Sequence, residues 1–289
     1  MTTAPTLART RAELEVALRP VPRSVVMTMG ALHEGHLSLV RAARSRGEQV
    51  VVTIFVNPLQ FGPSEDLDRY PRDLTGDLAQ LTGPGLLGPG DVVFAPEPAE
   101  VYPDGDPVVR VSAGAIGEVY EGAVRPGHLD GVLTVVLKLM HLTRPDVALF
   151  GRKDVQQLVA VSRMVRDLDL GLSVVPVPTV RDEDGLALSS RNAYLTEDQR
   201  PAALGLSRAL AAGERAAAEG ADPATVRAVA QETLIAAGVL ADYVALVDPL
   251  TFADLPEDDR PQSGSVSVLA VAGRVGDTRL IDNTDVRWA

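Results

Sequence analysis

The clearest pattern of apolar and polar positions is a short apolar run, a polar turn, a helical run and a second apolar run. Residues 24–29 are mostly apolar and are followed by Gly30. Residues 37–46 mix apolar and basic side chains at the spacing of a helix, and Gly47 is its expected stop. Residues 49–56 are almost all apolar, which is typical of a parallel strand buried on both faces. The pattern predicts a right-handed strand–helix–strand unit.

Strands and helices keep alternating as far as about residue 180. The other predicted helices of this part are residues 10–18, which start with a Thr10–Glu13 capping box, residues 73–81, residues 131–142 and a helix ending at Arg166. The other predicted strands are residues 91–94, 108–111, 146–150 and 173–177. A charged loop at residues 65–71 and a connector rich in glycine and proline at residues 83–90 interrupt the alternation.

The order of elements changes beyond the last of these strands. Residues 196–220 are alanine-rich and start with the spacing of a capping box, and Asp222 and Pro223 start another helix. Three predicted strands follow, at residues 243–247, 265–271 and 278–281. Because helices and strands are segregated here, we predict an α/β domain with a parallel sheet at residues 1–180 and a smaller α+β domain at residues 181–289.

Composition places the chain among globular proteins and narrows its partners. The 289 residues are 46% hydrophobic and 23% charged, with a formal net charge of −12. This acidity disfavours nonspecific binding to nucleic acid or to an anionic membrane. The sequence has no cysteine, which excludes disulfides and thiolate metal sites. The polar first 20 residues and the lack of a long apolar run predict a cytoplasmic protein without a membrane segment.

The turn after the first strand carries the most specific chemistry. His33 and His36 lie three residues apart at the predicted start of a helix. Free N–H groups and the helix dipole favour an anion there, and two imidazoles can donate hydrogen bonds to phosphate oxygens. Gly30 and Gly35 would let a ligand approach the backbone. Two other interpretations stay open: a helix cap beside a surface histidine, or a zinc pair, for which no third ligand is evident.

Polar side chains also follow two other predicted strands. Gln60 comes after the second strand and is able to place an amide over a hydroxylated or carboxylated substrate, or to face water as an ordinary turn residue. Lys153, Asp154 and Gln157 follow the strand at residues 146–150. Lys153 is one of only two lysines in the chain. This rarity indicates a position where arginine does not suffice, although the alternative is that a lysine stands there by chance.

Two further clusters have ordinary alternatives. Ser189, Ser190 and Arg191 suit a polyphosphate, although a polar loop would have the same composition. Asp73 and Asp77 are four residues apart and would share a helix face. One of them is a candidate ligand for Mg²⁺, which takes only one or two carboxylates beside phosphates and water. A solvated helix face is the alternative.

Taken in order, these motifs resemble the HxGH nucleotidylyltransferase superfamily and, within it, the pantoate–β-alanine ligase family. The resemblance runs from about residue 24 to residue 195. The matching segments are residues 29–36, 55–61, 70–72, 127–128, 151–157 and 189–192. The chain departs from the family pattern at Met27, Gly76, Arg152, Val155 and Leu188. Gly76 stands where a second acid is common, and this weakens the metal assignment.

The resemblance implies a Rossmann-like parallel-sheet domain followed by the smaller domain, and a homodimer. It also implies a two-step ligase: pantoate attacks the α-phosphate of ATP with Mg²⁺ present, and β-alanine then attacks the acyl adenylate. The alternatives are another nucleotidylyltransferase with a basic pocket for a phosphate substrate, a tRNA synthetase, and a regulatory module that has lost catalysis. The acidic charge disfavours the synthetase, and the joint presence of His33, Lys153 and Arg191 argues against the module.

By resemblance, each motif residue has an expected role. The catalytic residues are His33, His36, Lys153 and Arg191. The ATP-binding residues are Met29, Gly30, His33, His36, Gly151, Lys153, Asp154, Val180, Leu188, Ser189, Ser190 and Arg191. The pantoate-binding residues are Met29, Phe55, Asn57, Gln60 and Gln157. The residues of the β-alanine region are Tyr70, Arg125 and His128, and the metal ligand is Asp77.

Overall fold

The computed structural model describes residues 4–62, 67–83, 85–259 and 261–289. Its backbone divides into two compact units. The first unit comprises Met1–Gly151 and Ala160–Val177, and the second comprises Arg152–Val159 and Pro178–Ala289. Within the described residues, no helix is both long enough and apolar enough to cross a membrane.

The first unit is built on a six-stranded parallel sheet. Its strands are β1 (Thr6–Ala8), β2 (Arg23–Thr28), β3 (Gln49–Ile54), β4 (Val92–Phe94), β5 (Val147–Gly151) and β6 (Ser173–Val177). Its helices are α1 (Arg11–Ala17), α2 (Glu34–Arg44), α3 (Leu74–Thr82), α4 (Pro98–Val101), α5 (Glu121–Val124) and α6 (His128–Thr143). A seventh helix, α7 (Val155–Asp167), begins in the second unit and ends in the first. This is the α/β architecture that the pattern predicted, and it is Rossmann-like, as the resemblance implied.

The sheet order is β1-β4-β3-β2-β5-β6, so the chain reverses its direction of winding between β2 and β5. These two strands pair directly, with Ser24 opposite Val147. Val50, Val51 and Val52 of β3 are completely buried, as expected for a strand covered on both faces. Ligands of such sheets bind beyond the carboxyl ends of the strands at the reversal. Met29, Gly30 and Gly151 lie at those ends.

The second unit has helices on a three-stranded antiparallel sheet. The helices are α8 (Arg200–Ala203), α9 (Gly205–Ala218) and α10 (Pro223–Ala236), and the strands are β7 (Leu240–Val247), β8 (Val266–Val275) and β9 (Thr278–Arg287), in the order β7-β8-β9. Leu206, Leu210, Leu234, Leu246 and Leu269 fill its core and are buried. The predicted α+β character of this part is confirmed.

Three helix starts were predicted from local sequence, and all three caps are present. Thr10 and Glu13 form a reciprocal capping box. Thr196 and Gln199 exchange the same pair of hydrogen bonds, with N···O distances of 3.1 and 3.3 Å. Asp222 accepts a hydrogen bond from Thr225 N–H at the start of α10. These signals worked because each depends on residues three positions apart.

Other expectations were wrong. Residues 108–111 form no strand, and Val108 and Val109 are exposed; β1, at the edge of the sheet, was not predicted. The helix predicted at residues 196–220 is divided into α8 and α9. Helix α2 ends at Arg44, before Gly47. A β-carbon at Gly47 would lie 2.7 Å from the backbone nitrogen of Ser24, so close packing explains this glycine.

The predicted loop at residues 65–71 and the connector at residues 83–90 lie partly outside the described residues.

Candidate active site

His33 and His36 form a reciprocal cap at the start of α2. His33 is the N-cap residue, and its Nδ1 accepts a hydrogen bond from Gly35 N–H at 3.1 Å. The Nδ1 of His36 accepts one from His33 N–H at 3.3 Å. The ring centroids are 4.1 Å apart. Because both Nδ1 atoms accept, each neutral ring carries its proton on Nε2. The two histidines therefore cap α2 through their Nδ1 atoms and also present two Nε2–H donors. A helix start favours anions, so these donors lie where an anion would bind.

The turn before these histidines has an unusual backbone. Gly30 and Ala31 both have positive φ, +82° and +50°, and the latter is uncommon for a residue with a side chain. Asp77 on α3 holds the turn: its Oδ1 accepts Leu32 N–H at 2.8 Å and its Oδ2 accepts Ala31 N–H at 3.2 Å. A β-carbon at Gly30 would lie 2.8 Å from Asp77 Oδ2, so glycine is required there.

The proposed magnesium role of Asp77 does not fit this geometry. Asp77 is 3% exposed and both of its oxygens already accept backbone N–H groups. Burial raises the pKa of Asp77 above its ordinary value, despite those two hydrogen bonds. Asp73 caps α3 by accepting Gly76 N–H at 2.9 Å. In the described part of the chain, no group of three or more His, Asp or Glu side chains is placed to hold a metal.

We expect Asp77→Asn to lower stability without changing the magnesium requirement. An asparagine has only one accepting oxygen, so one buried N–H loses its partner, at a cost of about 1–3 kcal/mol. Calorimetry measures the change in stability, and the Mg²⁺ dependence of the expected ATP-dependent reaction, at saturating ATP, measures the magnesium requirement. Asp73→Asn is the matched control, because Asn is an equally good N-cap. An unchanged Tm with a raised Mg²⁺ requirement for Asp77→Asn would restore the metal role.

The buried Asn57 and the half-buried Gln60 form an amide pair beside the end of β3. Asn57 is 1% exposed, and its Nδ2 donates to Gln60 Oε1 at 3.1 Å and to Gly131 O at 3.2 Å. Gln60 Nε2 lies 3.1 Å from the sulfur of Met29. Gly131 has to be a glycine, because a β-carbon there would lie 2.2 Å from Leu59 O. The structure therefore brings three expected pantoate residues together.

Arg125 and His128 pack against the same turn. His128 Nδ1 lies 2.8 Å from Gln60 O, which can only accept, so Nδ1 carries the ring proton. His128 Nε2 then accepts from Arg125 at 2.9 Å. Among the other expected residues, the Phe55 ring is buried, and the Tyr70 ring packs edge-on against Phe61 at 5.8 Å.

The second unit contains the remaining expected ATP residues. Leu188 N–H donates to Val180 O at 2.9 Å, which closes a hairpin whose turn has Gly185 at a φ of +95°. Ser189 follows and accepts Arg191 N–H at 3.2 Å, capping the 3₁₀ helix Ser190–Tyr194. One continuous segment thus holds a backbone edge, two hydroxyls and a guanidinium. This is a suitable composition for a nucleotide.

Strand β9 holds in place the turn that carries Lys153 in this unit. Asn283 Nδ2 donates to Arg152 O and to Lys153 O, both at 2.8 Å. The Lys153 ammonium lies 3.9 Å from the Asp154 carboxylate, and Gln157 is half-buried on the first turn of α7. The neighbouring Asp282 binds the Arg181 guanidinium through both oxygens, at 2.6 and 3.0 Å.

Three residues around these groups were not among the sequence candidates: Tyr102, Asp282 and Asn283. Each is buried and forms a hydrogen bond with a residue far away in the sequence. Asp282 and Asn283 directly follow the apolar pair Leu280–Ile281 in β9, and this was the local signal available.

A family model described as pantoate-beta-alanine ligase matches residues 3–285 of the chain. The chain belongs to the pantoate–β-alanine ligase family. Two curated relatives match this chain over nearly all of their length. The pantothenate synthetase of Salinispora arenicola is 54% identical over 98% of both chains. That of Acidothermus cellulolyticus is 52% identical over 100% of this chain and 94% of its own.

Solved structures of the pantoate–β-alanine ligase family have the same fold. A Thermus thermophilus pantothenate synthetase superposes with a TM-score of 0.90 at 48% identity, covering 98% of this chain and 99% of its own. A Francisella tularensis pantoate–β-alanine ligase, solved in complex with beta-gamma ATP and β-alanine, has a TM-score of 0.77 at 31% identity and covers 97% of both chains.

Proposed function

We propose that this chain condenses pantoate with β-alanine to give pantothenate through a pantoyl-adenylate intermediate. The observation that carries the proposal is the His33–His36 pair, two Nε2 donors at a helix start that favours phosphate. Membership of the pantoate–β-alanine ligase family supports pantoate and β-alanine as two of the substrates. The Francisella complex supports ATP as the third substrate.

In the first step, a carboxylate oxygen of pantoate attacks the α-phosphorus of ATP. An O–P bond forms, the bond to the β-phosphate oxygen breaks, and pyrophosphate leaves with its electron pair. Charge shifts onto phosphate oxygens, so preorganised donors accelerate this step. His33, His36, Lys153, Ser189, Ser190 and Arg191 supply them. The carboxylate is already a nucleophile, so the step needs no general base.

In the second step, the amine of β-alanine attacks the acyl carbon of the adenylate. The C–N bond forms, the bond to the AMP oxygen breaks, and the amine proton passes to solvent or to phosphate. Arg125 and His128, which pack against Gln60 O, are the candidate groups for the β-alanine region, with Tyr70. The Arg125 guanidinium suits the β-alanine carboxylate, and His128, whose ring nitrogens contact Gln60 O and Arg125, would hold that guanidinium in place.

The other substrate groups follow the family roles. Gln60 and Gln157 hold pantoate by its hydroxyls and carboxylate, with Met29, Asn57 and Phe55 around them. Gly151 and Asp154 meet the ribose, and Val180 and Leu188 face adenine through their backbone. Mg²⁺ accompanies ATP, and the enzyme is a cytoplasmic homodimer, for which sedimentation equilibrium should give twice the 30.5 kDa chain mass.

Pantoate-dependent exchange of labelled pyrophosphate into ATP tests this proposal. Exchange requires pantoate and ATP but not β-alanine, because only the first step is reversed. A nucleotidylyltransferase for a phosphate substrate would exchange only with that other substrate, and a regulatory module would not exchange at all. Exchange that is independent of pantoate, or absent, would refute the proposed reaction.

We expect Gln60→Ala and Gln157→Ala each to raise the KM for pantoate by roughly 10–100-fold, the loss associated with a hydrogen bond to a charged group. The KM for ATP should change by less than about threefold, because neither amide is assigned to the nucleotide. Gln199→Ala, which removes a hydrogen bond to Thr196 N–H in the second unit, is the matched control. An equal loss for both substrates would assign the glutamine to the fold or the nucleotide instead.

A further inference from the structure

The buried carboxamide of Asn57 has a fixed orientation. Its Oδ1 accepts from Leu59 N–H at 3.3 Å, and its Nδ2 donates to Gly131 O at 3.2 Å. A backbone N–H can only donate and a carbonyl can only accept, so these two contacts exclude the flipped amide. Asn57 must therefore present its oxygen on one side and its N–H₂ on the other.

Two more contacts complete this amide, one at each end. Tyr102 donates its hydroxyl proton to Asn57 Oδ1 at 2.9 Å, and Asn57 Nδ2 donates to Gln60 Oε1 at 3.1 Å. Burial raises the pKa of Tyr102, so the phenol remains protonated and able to donate. All four hydrogen-bonding positions of Asn57 are then used. We call Tyr102, Asn57 and Gln60 the polar network.

The network determines which end of Gln60 faces a substrate. Its Oε1 is taken by Asn57, so the remaining end is Nε2, which lies 3.1 Å from the Met29 sulfur. A thioether is a weak acceptor and competes poorly with a charged oxygen. Gln60 is therefore held as a donor, suited to carboxylate and hydroxyl oxygens.

We propose that Tyr102 and Asn57 are positioning residues that lock Gln60 as a hydrogen-bond donor and so make the site select an anionic, oxygen-rich acid. This proposal rests on the proposed function, in which Gln60 contacts pantoate. The selectivity is a matter of amide polarity: a reversed Gln60 would present a carbonyl oxygen to the substrate carboxylate and repel it.

Tyr102→Phe and Asn57→Asp test the network in two ways. Phenylalanine keeps the ring that packs 6.1 Å from Phe55 and removes only the donor. Aspartate keeps the acceptor for Tyr102 and Leu59, but it cannot donate to Gln60, which must turn its N–H₂ toward Asp and its oxygen toward the substrate. Direct titration should show pantoate bound roughly 3–10-fold more weakly by Tyr102→Phe and roughly 10²-fold more weakly by Asn57→Asp. ATP affinity should stay within about twofold.

A readout without substrate separates polarity from stability. With ¹⁵N-labelled glutamine, the Gln60 side-chain signal is assigned by its loss in Gln60→Ala. In Asn57→Asp one Gln60 Nε2 proton should shift downfield, because it then bonds to a carboxylate; Tyr243→Phe, on β7, should leave the signal unchanged.

The outcomes distinguish the two hypotheses. An unshifted Gln60 signal in Asn57→Asp overturns the network, whatever the activity. Weak pantoate binding by Gln60→Ala, with normal binding by Tyr102→Phe and Asn57→Asp, also overturns it while the proposed function stands. A shifted signal in a protein that shows no pantoate-dependent exchange would leave the amide polarity established but refute both the proposed function and the selectivity assigned to pantoate. If Asn57→Asp does not fold, normal pantoate affinity in Tyr102→Phe is sufficient to overturn the network.

Discussion

His36→Ala should lower the rate of pantoate adenylation by roughly 10²–10³-fold, the scale seen when one charge-stabilising donor is removed. The reason is the fixed tautomer: His36 Nδ1 accepts His33 N–H, so Nε2 is the donor and sits on the first turn of α2. A donor that meets charge developing on the phosphates stabilises the transition state more than bound ATP. ATP affinity should therefore fall much less than the rate, and the reaction of supplied pantoyl adenylate with β-alanine should be less affected.

His36→Glu separates this role from the cap. Glutamate at the third position of a helix accepts the N-cap N–H as His36 does, so the capping box and the melting temperature should be preserved. Its negative charge would repel phosphate, and adenylation should be at least as slow as in His36→Ala. If His36 served only as a cap, His36→Glu would be active and His36→Ala would lose about 1 kcal/mol of stability with near-normal turnover. Near-normal adenylation by either variant therefore contradicts the catalytic role.

The parts of the fold that sequence predicted are those governed by neighbours in the chain. The strand–helix–strand unit at residues 24–56 has buried strands and a helical face, and both leave a periodic pattern. Caps such as Thr10–Glu13 need only residues three apart. The strand predicted at residues 108–111 was wrong because an apolar, β-branched composition is typical of a strand but does not provide a pairing partner. That partner has to come from elsewhere in the chain.

The site divides in the same way. The histidine pair and the hairpin that leads to Ser189 and Arg191 are local, and their motifs could be found in the sequence. Other candidate residues are held by groups that are distant in the sequence: Asn283 contacts Lys153 O across 130 positions, and Tyr102 contacts Asn57 across 45. Asp77 is the instructive case, because a carboxylate near a predicted phosphate site suggests a metal ligand until its backbone partners are known. Long-range hydrogen bonds leave no periodicity, so only the folded structure reveals them.

The second large effect concerns Lys153, whose turn is held to β9 through Asn283 and whose side chain is 20% exposed. Lys153→Ala should lower adenylation by roughly 10²–10³-fold in single-turnover measurements, because an ammonium that meets developing phosphate charge is lost. Lys153→Arg should recover only part of this, because a planar guanidinium cannot replace a compact ammonium in a fitted position.

The adjacent Arg152 offers a matched control for this lysine. It occupies the same 3₁₀ turn and carries the same charge, but its guanidinium pairs with the Asp285 carboxylate. Arg152→Ala should therefore change the single-turnover rate by less than about threefold. If Arg152→Ala is as slow as Lys153→Ala, the general positive charge of the turn matters and no specific ammonium is required. If Lys153→Ala weakens ATP binding but adenylates normally at saturation, the lysine contributes equally to bound ATP and to the transition state. The proposed role of Lys153 is supported only if Lys153→Ala lowers the rate and Arg152→Ala does not. The lysine ammonium then contributes as the bond at the α-phosphate breaks.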